Sequence, residues 1–155
     1  MTSIPLRNIN IYLTTVSNRM HHLDLGLFCY QITFTYEVLK LQHVDGNVLA
    51  DKINHRLAAI LHFPGLKIFS NELQSIARLT ANEYQSLMKV MIFAVDNLYD
   101  GKNDVIENFV SNDDLTRLYE CWNEMYILSK FEEFSESDLI KFEVNNKIWI
   151  NLKVK

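Results

Sequence analysis

Apolar residues recur at three-to-four spacing through most of this chain, the period of helices that bury one face. Met20, Leu23, Leu27, Tyr30, Phe34, Val38 and Leu41 form one such row, behind a cap at Ser17 or Asn18. Leu25, Phe28, Ile32, Tyr36 and Leu39 fill the remaining faces, and a helix apolar nearly all round is predicted to lie at the centre of the core. His43-Val44-Asp45-Gly46 breaks it. A second helix, capped by Asp45 or Asn47, carries Val48, Leu49, Ile53, Leu57, Ile60 and Leu61, with Asp51, Lys52, Asn54 and Arg56 largely on its wet side. His62-Phe63-Pro64-Gly65 stops it, since proline restricts the residue before it and glycine takes turn conformations freely. Leu66 to Phe69 reads as an extended connector.

The clearest helix follows. Thr80-Ala81-Asn82-Glu83 has the spacing of a capping box, in which Thr80 bonds forward to an amide and Glu83 reaches back. Tyr84, Leu87, Met88, Met91, Ile92, Val95, Leu98 and Tyr99 make its buried stripe, and Asp100-Gly101 is its predicted end. A fourth helix starts near Asn112, with Asp113 and Asp114 against the positive helix end, and buries Leu115, Leu118, Tyr119, Trp122, Met125 and Tyr126. Ser135 with Asp138 opens a fifth, running through Leu139 and Phe142. Two stretches alternate instead and read as short strands: residues 9–16, and residues 147–154, where Ile148, Ile150, Leu152 and Val154 face one way.

Composition agrees with one mainly α domain over residues 1–155. The 155 residues are 48% hydrophobic and 22% charged, enough to bury a core without staples, and only 4 Gly and 2 Pro are present, too few for an all-β fold. The formal net charge of −4, with Lys147, Lys153 and Lys155 as the one basic cluster, argues against tight nucleic-acid binding by this chain alone. Cys29 and Cys121 sit within apolar helical patterns and outside any C-x-x-C pair, so they read as small buried hydrophobes in a reducing compartment. The apolar run from Val90 to Val95 is too short for a bilayer, and no secretory leader is recognisable. The expected location is intracellular, nuclear or cytoplasmic.

Candidate chemistry is thin. His22 and Cys29 on one continuous helix stand about 10 Å apart along its axis, too far to share a zinc ion. His43, His55 and His62 have no paired spacing and read as surface or loop residues. Asp113-Asp114 and Glu132-Glu133 suit a helix start and a solvated stretch better than a carboxylate pair. Phosphate loops, nucleophile elbows and local cysteine-nucleophile signatures are lacking. The aromatic residues Phe28, Tyr30, Phe34, Phe93, Tyr119, Trp122 and Tyr126 fall mostly at core spacing and need not form a base-stacking platform. No cofactor is expected.

Four ordered blocks carry a resemblance. Asn18-Arg19-Met20-His21-His22-Leu23-Asp24-Leu25-Gly26-Leu27-Phe28 resembles the D-R-M-H-x-L-D-L-G-L-F block of Plavaka-like transposases, relatives of the CACTA superfamily that are common in fungal genomes. His62-Phe63-Pro64-Gly65-Leu66-Lys67-Ile68-Phe69 is similar to a second block. The stretches from Leu79 to Met91 and from Leu118 to Ser129 are similar to a third and a fourth. Together they span residues from about 9 to 143, and from about 144 the chain leaves the pattern.

The resemblance implies an RNase H-like core elsewhere, in which three acidic residues hold two metal ions for strand cleavage. The matched region is a helical insertion after the second of them. On that mapping the preceding carboxylates lie upstream of Met1 and the last one downstream of Lys155. Asn18, Met20, His21 and Asp24 are the family-motif positions, and Asn18 departs from the motif's aspartate, so it lacks a carboxylate's charge. The expectation is a fragment or degenerate remnant of a transposase with no catalytic residues of its own. The alternative is a helical interaction module that self-associates, or pairs with an intact transposase, through apolar surface left uncovered.

Overall fold

The computed structural model describes residues 20–42, 46–61, 63–66, 79–98 and 110–154, without the side chains of residues 20–22, 42, 46, 153 and 154. A π-helical segment, Met20–Leu27, runs directly into α1, Phe28–Gln42. Four further helices follow: α2, Gly46–Ala59; α3, Ala81–Val95; α4, Asn112–Leu128; and α5, Glu136–Val154. The fold is mainly α, as the periodicity predicts, with no strand among the described residues. α3 lies in the middle, against α2, α4, α1 and the π segment, while α4 and α5 form a closely packed antiparallel pair.

The polar residues that start the helices act as their spacing suggests. Thr80 accepts from the Glu83 amide, and its own amide donates to Glu83 Oε2 at 2.6 Å, closing the capping box. Ser111 Oγ accepts from the Asp114 amide at 3.0 Å and starts α4. Ser135 and Asp138 form a reciprocal cap on α5, and the Ser135 hydroxyl and amide hold the Asp138 carboxyl below its ordinary range. At Phe63-Pro64-Gly65-Leu66 the Leu66 amide donates to the Phe63 carbonyl at 2.9 Å. Gly65, at φ 83°, takes the left-handed position that a turn with proline before it requires.

Helix α3 stops at Val95, earlier than Asp100-Gly101 suggested, because Asn97 turns left-handed at φ 44°. One of its last carbonyls and three just beyond its end are bonded by the helix beside it. Arg56 donates to Ala94 O at 3.1 Å, to Asp96 O and to Asn97 O at 3.0 Å, and Lys52 Nζ donates to Leu98 O at 2.9 Å. Two cations one turn apart thus satisfy the orphan acceptors and the negative end of α3. Asn54 accepts from the Tyr36 hydroxyl at 3.0 Å. Lys52, Asn54 and Arg56, read as part of the wet side of α2, therefore line its seam with α1 and α3, while Asp51 is exposed as expected. Asn47 lies inside α2 rather than capping it, and Asp45 falls outside the described residues.

Helix α1 turns a different face inward from the one its first apolar row suggests. Phe28, Ile32 and Leu39 are buried with Gln31 and Thr35, whereas Tyr30 and Leu41 are 69% and 80% exposed. The two polar core residues are there because distant partners meet them. Trp149 Nε1 donates to Gln31 Oε1 at 2.6 Å, and the Tyr119 hydroxyl lies 2.9 Å from Thr35 Oγ1, which itself bonds the Gln31 carbonyl. Burial pushes the Tyr119 phenol well above its ordinary pKa, partly opposed by the Thr35 bond, so it stays a neutral donor.

The tail is also corrected: residues 147–154 are helical, not extended. Asn145, Trp149 and Leu152 are buried at four- and three-residue spacing, while Ile150, an inward position of the supposed strand, is 46% exposed. Asn145 Nδ2 donates to Glu124 Oε2 at 2.6 Å, fixing α5 to α4 in midcourse. Leu139 and Phe142, through which the helical pattern runs, are exposed. The strand suggested at residues 9–16 lies outside the described residues.

Phe28, fully buried, is the hub of the core. Trp122 stacks on it at 5.6 Å between centroids, and Tyr84 and Tyr119 meet it edge-on at 6.3 and 6.4 Å. Trp149 extends the cluster to α5 through Trp122, at 5.7 Å. Such offset and T-shaped pairs suit the ring quadrupoles. The predicted buried face of α4 is fully inside, with Cys121 added to it.

Candidate functional site

Of the four family-motif positions, Asn18 lies outside the described residues, as do the side chains of Met20 and His21. Asp24 is the position the structure locates. It sits mid-way along the π-helical segment and is 1% exposed. π-Helical turns are uncommon, since each bond skips an extra residue, and this one carries the motif block over nearly its whole length.

Asp24 Oδ2 accepts from Gln85 Nε2 at 2.9 Å, across 61 residues of sequence, and so ties the π segment to the first turns of α3. The other carboxyl oxygen, Oδ1, is buried with no hydrogen-bond partner among the described residues. A buried oxygen left unpaired costs about 1–3 kcal/mol, a burden that the packing around it has to offset. Sequence reasoning singled out Asp24 through the motif but not Gln85, which only its place on α3, beside the capping box, brings into reach.

Gln85 has a second neighbourhood. It lines an open polar cleft of about 430 Å³ with Gly65, Thr80, Asn82, Glu83, Ser86 and Lys89. Two of the similar blocks therefore meet here, the Phe63–Leu66 turn and the start of α3, and the first reaches them through Asp24. The cleft holds one cation, one carboxylate and several hydroxyl or amide groups, but Glu83 is already committed to capping α3.

The remaining candidates are placed apart from this site. Asp113 and Asp114 stand in the first turn of α4 and Glu132 and Glu133 are exposed between α4 and α5, in the settings the sequence suggests. His55 is exposed on α2, its Nδ1 2.8 Å from the Asp51 carbonyl; His43 and His62 lie outside the described residues. Cys29 is half-buried beside Tyr84, whose phenol is pushed up by burial and by that thiol. Cys121 is wholly buried, and burial pushes its thiol up, which makes it a poor nucleophile. Among the described residues, no group of three or more His, Cys, Asp or Glu side chains is arranged to hold a metal ion. No helix among them is long and apolar enough to cross a membrane. Of the aromatic residues, Phe28, Tyr119, Trp122 and Tyr126 belong to the core, Phe34 is half-buried, and Tyr30 and Phe93 are exposed.

No protein-family model matches the chain, and neither a curated protein nor a solved structure shows significant similarity to it.

Proposed function

We propose that this chain is a non-catalytic helical piece of a Plavaka-like transposase, a remnant whose motif residues hold a fold together rather than carry out chemistry. The reading rests on the four ordered blocks, and one observation carries it: Asp24, the motif's located carboxylate, is buried, with one oxygen bonded to Gln85. A ligand for divalent cations needs its oxygens open to the ion. Asp24 is not one of the carboxylates that the resemblance assigns to the pair of metal ions, its burial does not present it to a cation, and no step of strand cleavage is derived through it.

Incubated with supercoiled plasmid and Mg²⁺ or Mn²⁺, the purified chain is expected to leave the DNA un-nicked. Metal-dependent nicking that vanishes in a His21→Ala variant would overturn the proposal.

A second reading, association through helical surface, is favoured by a separate observation. Leu139, Ile140, Phe142, Val144 and Ile150 on α5 are all exposed, and Phe131 and Phe134, with centroids 6.4 Å apart, continue the apolar surface at its start. Apolar side chains gathered on one element in this way mark an interaction surface more often than scattered ones do.

A further inference from the structure

Asn145, Trp149 and Leu152 define the side of α5 that faces α4 and α1. At 3.6 residues per turn, Ile140, Glu143, Lys147 and Ile150 fall on the opposite side. Ile140 and Ile150 are 57% and 46% exposed, and the Glu143 and Lys147 side chains 65% and 69%. The order apolar, acid, base, apolar is symmetric about position 145 in everything but the sign of its charges. Reversing the helix about that point lays Ile140 on Ile150 and Glu143 on Lys147.

We propose that the occupant of this face is a second copy of the same chain, its α5 laid antiparallel on the first with the two-fold axis level with residue 145. The proposal rests on the association reading above and supplies its partner. In that arrangement Ile140 of each copy meets Ile150 of the other, and Glu143 of each meets Lys147 of the other, so every contact occurs twice. Leu139 and Val144 flank the seam. The charge along the whole element chooses the direction. Glu136 and Asp138 stand in the first turn of α5, whereas Lys147 and Lys153 stand towards its end. Antiparallel helices match these opposite ends; parallel ones would set acid on acid and Lys147 on Lys147. Within one copy Lys147 Nζ lies 2.6 Å from Glu143 Oε1, so both groups already point along the same ridge.

Sedimentation velocity over a micromolar concentration series tests this with the full chain. The wild type is expected to shift towards a species of twice the monomer mass as concentration rises. Glu143→Lys and Lys147→Glu alone each set like charges across the seam and are expected to weaken dimerisation about tenfold or more. The double variant exchanges the charges and is expected to restore it. Circular dichroism on each variant confirms that the helices remain folded. A double variant no better than the singles overturns the proposed register. A wild type that stays monomeric but binds an apolar-surface dye overturns the second copy as partner while leaving the association reading in place; a monomer that binds no dye overturns both.

Discussion

Phe28→Ala is expected to destabilise the protein by about 3–5 kcal/mol, the usual cost of emptying a buried aromatic site. The ring is fully buried and touches Trp122 face-on and Tyr84 and Tyr119 edge-on, so α3 and α4 lose their shared contact with α1 at once. These neighbours are large and rigid and cannot collapse into the gap, which places the cost towards the upper end of that range. Thermal melting should fall by roughly 6–20 °C, at about 2–4 °C per kcal/mol for a domain of this size. A loss below 1 kcal/mol, by melting or by urea titration, would mean that α1 does not present Phe28 to the core.

Trp149→Ala is the second large effect, again about 3–5 kcal/mol. Besides leaving a cavity against Trp122, it takes the indole donor from Gln31, whose side chain is wholly buried in α1. The companion substitution Ile150→Ala, measured at concentrations dilute enough to keep the chain monomeric, is expected to stay within about 0.5 kcal/mol of the wild type, since an exposed position has little to lose. That contrast separates the helix from the strand that alternation suggests. In a strand with Ile148, Ile150 and Leu152 inward, Ile150→Ala would be the costly change and Trp149→Ala the mild one.

The helical tail shows where sequence pattern reaches its limit. Ile148, Ile150 and Leu152 alternate, yet Asn145, Trp149 and Leu152 satisfy a helical face equally well over so short a run. What decides between them is Trp122 and Gln31, one helix and four helices earlier in the chain, which receive the Trp149 ring and its N–H. The same holds for α1. An all-round apolar sequence leaves its rotation open, and the face that won carries Gln31 and Thr35, residues no hydrophobic count would place in a core. Their hydrogen-bond partners are 118 and 84 residues away.

Local chemistry, by contrast, was legible. The Thr80 to Glu83 box, the Ser135 and Asp138 pair, the Pro64-Gly65 turn and the inward face of α4 depend on neighbours within a few residues, and each stands where its spacing suggests. The roles of Lys52 and Arg56 were not. Long cationic side chains on a helix look solvated until another helix end, here that of α3, is brought against them. Of the candidate site, the sequence exposed the motif carboxylate through family resemblance alone. Its partner depends on how the π segment meets α3, which no spacing within the block encodes.

A double-mutant cycle between Asp24 and Gln85, followed by chemical denaturation, tests most directly whether that carboxylate is structural. Asp24→Ala and Gln85→Ala should each destabilise the chain, and together lose less than their sum by about 1.5–3 kcal/mol, the range for hydrogen bonds to charged groups. Strictly additive losses, or an Asp24→Ala protein as stable as the wild type, would contradict the account and leave Asp24 without a structural role.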